Sequence, residues 1–532
     1  MTTIEDTASR ILDVGDRRFW RDDYEARMDA FADVLEGLDP AARAELFDEI
    51  LEQDGGATLS WLTVDRLDRL VGEGRITAQE RTAVLEAFGQ AYLDGEIELP
   101  DALAFTSLFG SGATGGIGLN PDPGPLQDLL ATLEDATGNS PAFLEAFATD
   151  VLQQRLFPEH ALVLPHERDA LAGILLNALD RAGGSASVHN VLTSLTDAQR
   201  TALLESVAGS GMAFHNPMLD GAGVRDPMAI AIEATSRHGT PQAALDMVRF
   251  VAEHSTGNSL ENHFYDFDNK PLDARAEALS ELFLAHGDTL LADLTVADPR
   301  QTPGSTNDRS TAIGENLAAL SNLLRITGLN PDNSRAAEVM AMLGDFAAAN
   351  IRVGNLTEGT DVNNDGVVDG LDTAAIDAGN GRAAMVGAVL QDAVSSGYVD
   401  LRADIAARDA FVGFLLDVAI SAIPVAGDFA ARSITSRVSD ALGGLDEGVR
   451  NRIAESLAAM PKEALVDAQG QLTDAAKAAI IEALPEDYQY LEGIKSESNT
   501  FIADTILGAS DRDYQVSESM SDYRDYIDRA RG

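Results

Sequence analysis

Apolar residues recur at helical spacing along most of the chain, and the alternating β-branched runs that form strands are missing. Alanine, leucine, glutamate and arginine dominate the periodic segments, and all four favour helices. The pattern therefore predicts an all-α, multi-helical protein. A length of 532 residues exceeds one ordinary domain, so we expect roughly two to four helical subdomains.

Two breaker-rich segments interrupt the periodic pattern. Glycine and proline crowd residues 109–125, and polar residues crowd residues 300–313, so both are predicted to be linkers or surface loops. The rest of the domain prediction comprises an N-terminal helical domain over 1–108, a histidine-containing helical domain over 126–299, helices around a candidate calcium loop over 314–400, an apolar central helix with a helical bundle over 401–487, and a polar C-terminal helical tail over 488–532.

Several helices are predicted to begin with a side-chain cap. Thr77 and Glu80 have the spacing of a capping box, in which the hydroxyl and the carboxylate each bind a backbone N–H. Asp39, Thr196 and Thr473 precede similar segments, each with two adjacent apolar residues and then an acid. The recurrence indicates either a decayed helical repeat or well-capped amphipathic helices, and the unequal intervals favour the second.

Residues 361–372, Asp-Val-Asn-Asn-Asp-Gly-Val-Val-Asp-Gly-Leu-Asp, have the spacing of an EF-hand calcium loop. Oxygen donors fall at loop positions 1, 3, 5, 9 and 12, and glycine stands at position 6, where the chain turns sharply. Calcium takes roughly six to eight oxygens, so a single loop has to supply several. The predicted ligands to Ca2+ are Asp361, Asn363, Asp365, Val367 through its backbone carbonyl, Asp369 and Asp372.

The loop differs from a full helix-loop-helix hand on both sides. Position 12 is Asp372 rather than the usual glutamate, and the incoming residues 353–360 are not a good helix. In these respects the loop resembles the calcium loops of dockerin-type modules, which usually carry two loops where we find one. The resemblance covers about 17 of 532 residues and implies calcium ligation, not cohesin binding. The alternative is an acidic turn without an ion, although four close carboxylates repel one another unless a cation offsets them.

The helix that leaves the loop is predicted to be short. It runs from Leu371 to about Asp377, and Gly379-Asn380-Gly381 is predicted to separate it from another helix at about 383–396.

The most apolar segment is 410–427. Its run of about 17 residues is at the short limit for a membrane span, Asp417 near its centre is costly in lipid, and Pro424 would end the helix. A buried central helix is therefore predicted. The segment 410–428, which ends in Ile-Pro-Val-Ala-Gly-Asp, resembles over about 20 residues the apolar segment found before the toxic domain of bacterial polymorphic toxins. That resemblance implies an alternative function, a leaderless exported bacterial effector with a membrane-active apolar segment.

The composition is strongly acidic. Asp and Glu number 87 against 38 Lys and Arg, which gives a formal net charge of −49. Such a surface repels nucleic-acid phosphates and anionic lipid headgroups and attracts cations and basic partners. We therefore expect calcium and a protein as partners, expect no nucleic acid, and regard membrane contact as disfavoured. The charge also suits a high-salt habitat, but GC-rich codon usage gives the same arginine bias.

Cysteine is absent, which excludes disulfides and cysteine-ligated zinc. The first residues show no basic region and no apolar core, so no signal peptide is predicted. Calcium sites are most often filled outside the cytosol. The predicted localisation therefore stays open between the cytoplasm and export by a leaderless route.

All eight histidines lie within 126–299, the segment best suited to a catalytic site. His166-Glu167 begins like a zinc-protease motif, but Ala170 stands where the second histidine is required, and no G-x-S-x-G motif occurs. A hydrolase using this region is the second alternative, and it requires two histidines beside a carboxylate in a closed pocket. The main prediction is a calcium-binding helical protein with a structural or interaction role, so binding is favoured over catalysis.

Overall fold

The computed structural model describes residues 3–14, 21–35, 37–54, 62–106, 130–131, 133–134, 140–158, 165–209, 224–255, 264, 272–295, 306–328, 335–350, 370–396, 399, 401, 404–421, 431–442, 444–461, 464–466 and 472–485. Within these ranges the regular elements are helices, and the β pairing is limited to an isolated antiparallel bridge between Val466 and Leu472. The predicted all-α, multi-helical fold is confirmed. The chain forms two compact units, Met1–His238 and Gly239–Gly532, so the boundary lies inside the predicted domain 126–299.

The first unit contains ten of the described α-helices and one π-helical turn. They are α1 (Ile4–Leu12), α2 (Arg21–Leu35), α3 (Pro40–Asp54), α4 (Val64–Gly72), α5 (Ala78–Leu93), α6 (Leu99–Thr106), α7 (Pro141–Asp150), the π-helical turn Val151–Leu156, α8 (Pro165–Ser194), α9 (Asp197–Gly209) and α10 (Pro227–His238). Helices α3, α5, α7 and α8 pack in succession, and α8 also packs on α9 and α10. An aromatic cluster joins α5 to α7, in which the Phe88 and Phe143 rings meet edge to face at 5.4 Å.

The predicted side-chain caps are confirmed. The Thr77 hydroxyl accepts a hydrogen bond from the backbone N–H of Glu80, and the Glu80 carboxylate accepts one from the N–H of Thr77, which completes the capping box of α5. Asp39 caps α3, Thr196 caps α9, and Thr473 caps the last described helix, Asp474–Ala483. Each cap satisfies a backbone N–H that has no partner within its own helix.

A glycine pair bends α8 in its second half. Gly184 has φ 67° and ψ −165°, which is non-helical and suits glycine, so the helix changes direction there. A Cβ on Gly183 would lie 1.8 Å from the Ser187 hydroxyl oxygen. The bend therefore allows residues 185–194 to follow a new direction along the neighbouring helices.

The second unit contains nine described helices. They are α11 (Pro241–His254), α12 (Asp273–Leu294), α13 (Thr306–Gly328), α14 (Ala336–Asn350), α15 (Gly370–Ser395), α16 (Ile405–Ser421), α17 (Ala431–Ala441), α18 (Glu447–Ala458) and α19 (Asp474–Ala483). Helix α14 packs on α12, α15 and α16, and α16 also packs on α17 and α19. Helix α13 begins at Thr306, so the polar residues 306–313 are helical although their composition predicts a linker.

The prediction of two helices after the calcium loop is wrong. Helix α15 runs without a break through Gly379-Asn380-Gly381. Gly379 serves a close approach instead, because a Cβ there would lie 2.6 Å from the backbone oxygen of Asn350 at the end of α14. The glycine thus lets two helices touch, and it does not end the helix that contains it.

Helix α16 is buried on most of its surface. Its apolar residues Phe411, Val412, Phe414, Leu415, Leu416, Val418, Ala419 and Ile420 are all 2% exposed or less. Gly344 on α14 lies against Phe414, where an added Cβ would be 3.2 Å from the Phe414 Cβ. Asp417 is the buried charged residue of this helix, and it needs a partner inside the unit.

Candidate functional site

The predicted calcium ligands lie almost entirely outside the described residues. Asp361, Asn363, Asp365, Val367 and Asp369 are in the segment 351–369, which the described ranges do not include. Asp372 is described for its backbone only, which is helical at the third position of α15. Among the described residues, no group of three or more His, Asp or Glu side chains is arranged to hold a metal ion, and this result does not extend to the loop.

Helix α15 connects the end of the loop to the core of its unit. It begins at Gly370, and its residues from Ala383 to Val394 are almost completely buried. It packs on α13 and α14. Asp392 on this helix is 1% exposed and accepts a hydrogen bond of 2.5 Å from the Ser321 hydroxyl on α13. The loop is therefore followed directly by one of the best-anchored helices of the unit.

Asp417 and Lys477 form a buried ion pair between α16 and α19. The Lys477 Nζ donates to Asp417 Oδ2 at 2.8 Å, and the side chains are 20% and 4% exposed, respectively. Asp417 Oδ1 is also buried, and no described residue gives it a hydrogen bond. With respect to the described residues, the carboxylate is therefore satisfied on one oxygen only, which is costly for a buried charge.

Two further carboxylates lie close enough to influence this pair. Burial raises the pKa of Asp417 to about 6, Lys477 lowers it, and the negative charges of Asp345 and Asp474 raise it. The pKa of Asp345 is raised as well, mainly by burial. The favourable effect of the Lys477 ammonium is thus opposed by burial and by two nearby carboxylates, so Asp417 holds a proton more readily than an ordinary aspartate.

Two histidines of the first unit lie next to each other on its surface. The imidazole rings of His189 on α8 and His238 on α10 have their centroids 5.9 Å apart. The Ser185 Oγ and the His238 Nε2 are joined by a hydrogen bond of 3.0 Å. His238 is exposed and His189 is half-buried. Burial is the main cause of a lowered pKa at His189, and the neighbouring His238 charge adds to it.

The histidine pair does not match the closed acid–base site that a hydrolase in this region requires. No described carboxylate hydrogen-bonds to either ring, and the pair faces solvent. His254 belongs to the second unit, where its Nδ1 contacts the Phe250 carbonyl oxygen at 2.8 Å. His286 is on α12, and the side chains of the remaining four, His160, His166, His215 and His263, are outside the described residues.

No described helix has both the length and the apolar character needed to cross a membrane. Helix α16 is the most relevant case, because it contains residues 410–421 of the predicted apolar run, whose remaining residues 422–427 lie outside the described part of the chain. It is 17 residues long and carries the buried Asp417 in its second half.

Comparison with models of known protein families gives no match, and comparison with curated proteins gives none either.

Proposed function

We propose that the chain is a calcium-binding helical protein with a structural or interaction role, in which one Ca2+ fixes an EF-hand-like loop at the start of α15. The observation that carries this proposal is the first residue of α15, Gly370, which follows the donor Asp369 directly. Loop positions 10 to 12 then occupy the first helical turn, as in the helix that leaves a calcium loop. Asp372, at loop position 12, would then close the coordination shell of the proposed ion.

The charge of the loop supports a cation. Four of its twelve residues are aspartates, and their mutual repulsion is offset when a divalent ion sits between them. An acidic residue near a helix N-terminus is also favourable without an ion, by about 0.3–1 kcal/mol. That smaller effect accounts for an aspartate at position 372 alone. It does not account for the oxygen donors at the other loop positions. The proposed ligands are Asp361, Asn363, Asp365, the Val367 carbonyl, Asp369 and Asp372.

The position of α15 supports a role in folding and assembly rather than catalysis. An ion at its first turn would hold the beginning of a helix whose middle lies in the core. Binding to the folded state only would stabilise it by about 2.7 kcal/mol when calcium is at 100 times its Kd. Calcium would therefore act on the stability of the Gly239–Gly532 unit.

Calorimetry and thermal unfolding test the proposal on the full chain. The protein, freed of metal by a chelator, is titrated with CaCl2, and terbium luminescence follows the same site. We expect one saturable site and a higher Tm with calcium. The double variant Asp361→Ala/Asp365→Ala should lose both effects. A calcium-dependent Tm shift of unchanged size in this variant would contradict the proposal.

A second acidic run provides a matched control. Asp266 and Asp268 begin a similar pattern, but Lys270 and Pro271 occupy positions 5 and 6 and exclude a calcium loop. Asp266→Ala/Asp268→Ala removes the same charge as the loop variant. We expect it to keep the Tm shift and the terbium signal, which separates site binding from the general attraction of an acidic surface.

Position 12 gives a finer test. Asp372→Asn keeps the side-chain length but removes the charge, so calcium affinity should fall about tenfold or more. Asp377→Asn removes the same charge from the same helix outside the loop. It should leave calcium affinity within about twofold of the parent value, and equal losses in the two variants would argue against ligation by Asp372.

A further inference from the structure

We propose that His189 and His238 form a binding site for one borderline divalent metal ion of the Zn2+, Ni2+ and Cu2+ class. The site lies in the Met1–His238 unit and is independent of the proposed calcium loop. Imidazole nitrogen suits these metals, whereas calcium takes oxygen ligands. The two sites therefore differ in both ligand and ion.

The separation of the rings fits a single bridging ion. A metal about 2.1 Å from one nitrogen of each ring, at an ordinary bond angle, places the two ring centroids about 5 to 6 Å apart. The observed centroid separation is 5.9 Å, with the ring planes inclined at 39°. The spacing of the two rings is therefore compatible with one shared ion, and solvent water can complete the coordination because His238 is exposed.

Ser185 supports the orientation of one ring. Its Oγ is 3.0 Å from the His238 Nε2, and it precedes His189 by four residues, on the same face of α8. When Nε2–H donates to the hydroxyl, Nδ1 keeps its lone pair for a metal. A ligating histidine usually has its second nitrogen held in this way. Ser185 is thus a positioning residue.

The backbone holds the two histidines in place before any ion binds. Helices α8 and α10 pack extensively on each other. The bend at Gly184 directs residues 185–194, and with them His189, along the end of α10. Neither ring lies on a loop, so little conformational freedom would be lost on binding.

Electrostatics also favour a cation at this position. His238 is the last residue of α10, where the helix macrodipole presents partial negative charge. The negative charge of the whole chain acts in the same direction.

The test is a titration of the chelator-treated full chain with ZnCl2 alone, followed by calorimetry. We expect one site whose association constant falls at least tenfold in His189→Ala and in His238→Ala, with little further loss in the double variant. Ser185→Ala should weaken binding by a smaller factor. His254→Ala removes one imidazole from the second unit and should change nothing.

Carboxylates on an acidic surface also bind zinc weakly. Cu2+ is therefore used to identify the ligating atoms directly. Electron paramagnetic resonance of the Cu2+-loaded chain should show coupling to two imidazole nitrogens, reduced to one or none in each variant. Circular dichroism and Tm of the metal-free variants confirm that they fold. The proposal is overturned if folded His189→Ala keeps the affinity of the parent chain, or if His254→Ala loses as much.

Discussion

Glu80 in the first unit and Asp417 in the second are equally buried carboxylates, each 4% exposed, but their hydrogen bonds differ. Glu80 Oε1 accepts from the Arg43 guanidinium at 2.7 Å, and its Oε2 accepts from the Thr77 N–H at 2.7 Å and from the Thr77 hydroxyl at 3.1 Å. Among the described residues, Asp417 accepts from Lys477 through Oδ2 alone. Both are ion pairs, but within this part of the chain only the first has hydrogen bonds to both oxygens of the carboxylate.

The difference shows why an ion pair by itself says little about stability. A buried charge is tolerated when hydrogen bonds replace the water it has lost, and it is costly when one oxygen stays unsatisfied. Glu80 gains its donors from a helix cap that forms locally. Asp417 is in the interior of an apolar helix, beyond its first turn, where backbone N–H groups are already used within the helix. The four predictions below test this contrast.

The largest effect is expected when Lys477 is removed. Lys477→Met at pH 8 leaves Asp417 buried without its cation, and we expect a loss of about 3–5 kcal/mol in the stability of α16. At pH 5 Asp417 is protonated, since its pKa is about 6, and the loss should be about 1 kcal/mol. Hydrogen exchange of the α16 amides measures both values.

The double variant Asp417→Leu/Lys477→Met is the control for this result. It removes both charges and should be as stable as the parent chain or more stable. Equal losses for Lys477→Met at pH 5 and pH 8 would show that packing of the lysine stem, rather than the charge of Asp417, is responsible.

Neutralising Asp417 should give the next largest effect, with the opposite sign. The folded pKa of about 6 lies above the ordinary value of 3.8, so the ionised form costs stability above pH 6, by up to about 3 kcal/mol. Asp417→Asn should therefore be more stable than the parent at pH 8. Lys477 remains 20% exposed and can reach water. The gain should shrink as the pH falls from 6 to 4, because the parent carboxylate then becomes protonated.

Exchange rates of the α16 amides in the parent and in Asp417→Asn, measured across pH 4 to 8, check this prediction. A variant that is less stable than the parent at pH 8 would contradict it.

Neutralising Glu80 should have the reverse outcome. Glu80→Gln weakens the bond to Arg43 and the bonds to Thr77, so we expect a loss of about 1–3 kcal/mol in α5 at pH 8. The same carboxylate-to-amide change thus destabilises one unit and stabilises the other. Hydrogen exchange of the α5 amides measures this change in stability. A loss of stability at pH 8 in both Glu80→Gln and Asp417→Asn would disprove the contrast.

The smallest effect is expected from the caps. Thr77→Ala removes the cap of α5 and one donor to Glu80, at a cost of about 1–2 kcal/mol. Thr196→Ala removes an exposed capping box with the neutral Gln199 and should cost about 0.5–1 kcal/mol. Amide exchange in the first turns of α5 and α9 compares the two. A larger loss of stability in Thr196→Ala than in Thr77→Ala would show that the hydrogen bond from the Thr77 hydroxyl to Glu80 does not stabilise α5.

Local features were predictable from the sequence, and long-range pairs were not. Helical periodicity and capping residues act within a few positions, so the all-α fold and the cap at Thr77 follow from local spacing. The partner of Asp417 is 60 residues away on another helix, and no spacing rule connects them. The only signals were a charge inside an apolar run and the rarity of lysine, which occurs four times.

The glycine and histidine predictions show the same limit. The pattern Gly379-Asn380-Gly381 indicates a break when only local propensity is considered, but a neighbouring helix end makes the first glycine a packing site. His189 and His238 are 49 residues apart, and the bend at Gly184 that aligns them is a tertiary feature. The calcium loop is a local motif, so all of its proposed ligands could be named from the sequence alone.

The contact between Asn350 and Gly379 also fixes the distance between the two ends of the proposed calcium loop segment. Gly379 is nine residues into α15, which places the end of α14 about 14 Å along the helix axis from Gly370. The 19 residues of 351–369 join these two anchored points, although a chain of that length could extend over about 60 Å. Packing of the two helices therefore already imposes much of the entropic cost of closing this loop. An ion bound within the segment would have to offset only the remaining part of that cost.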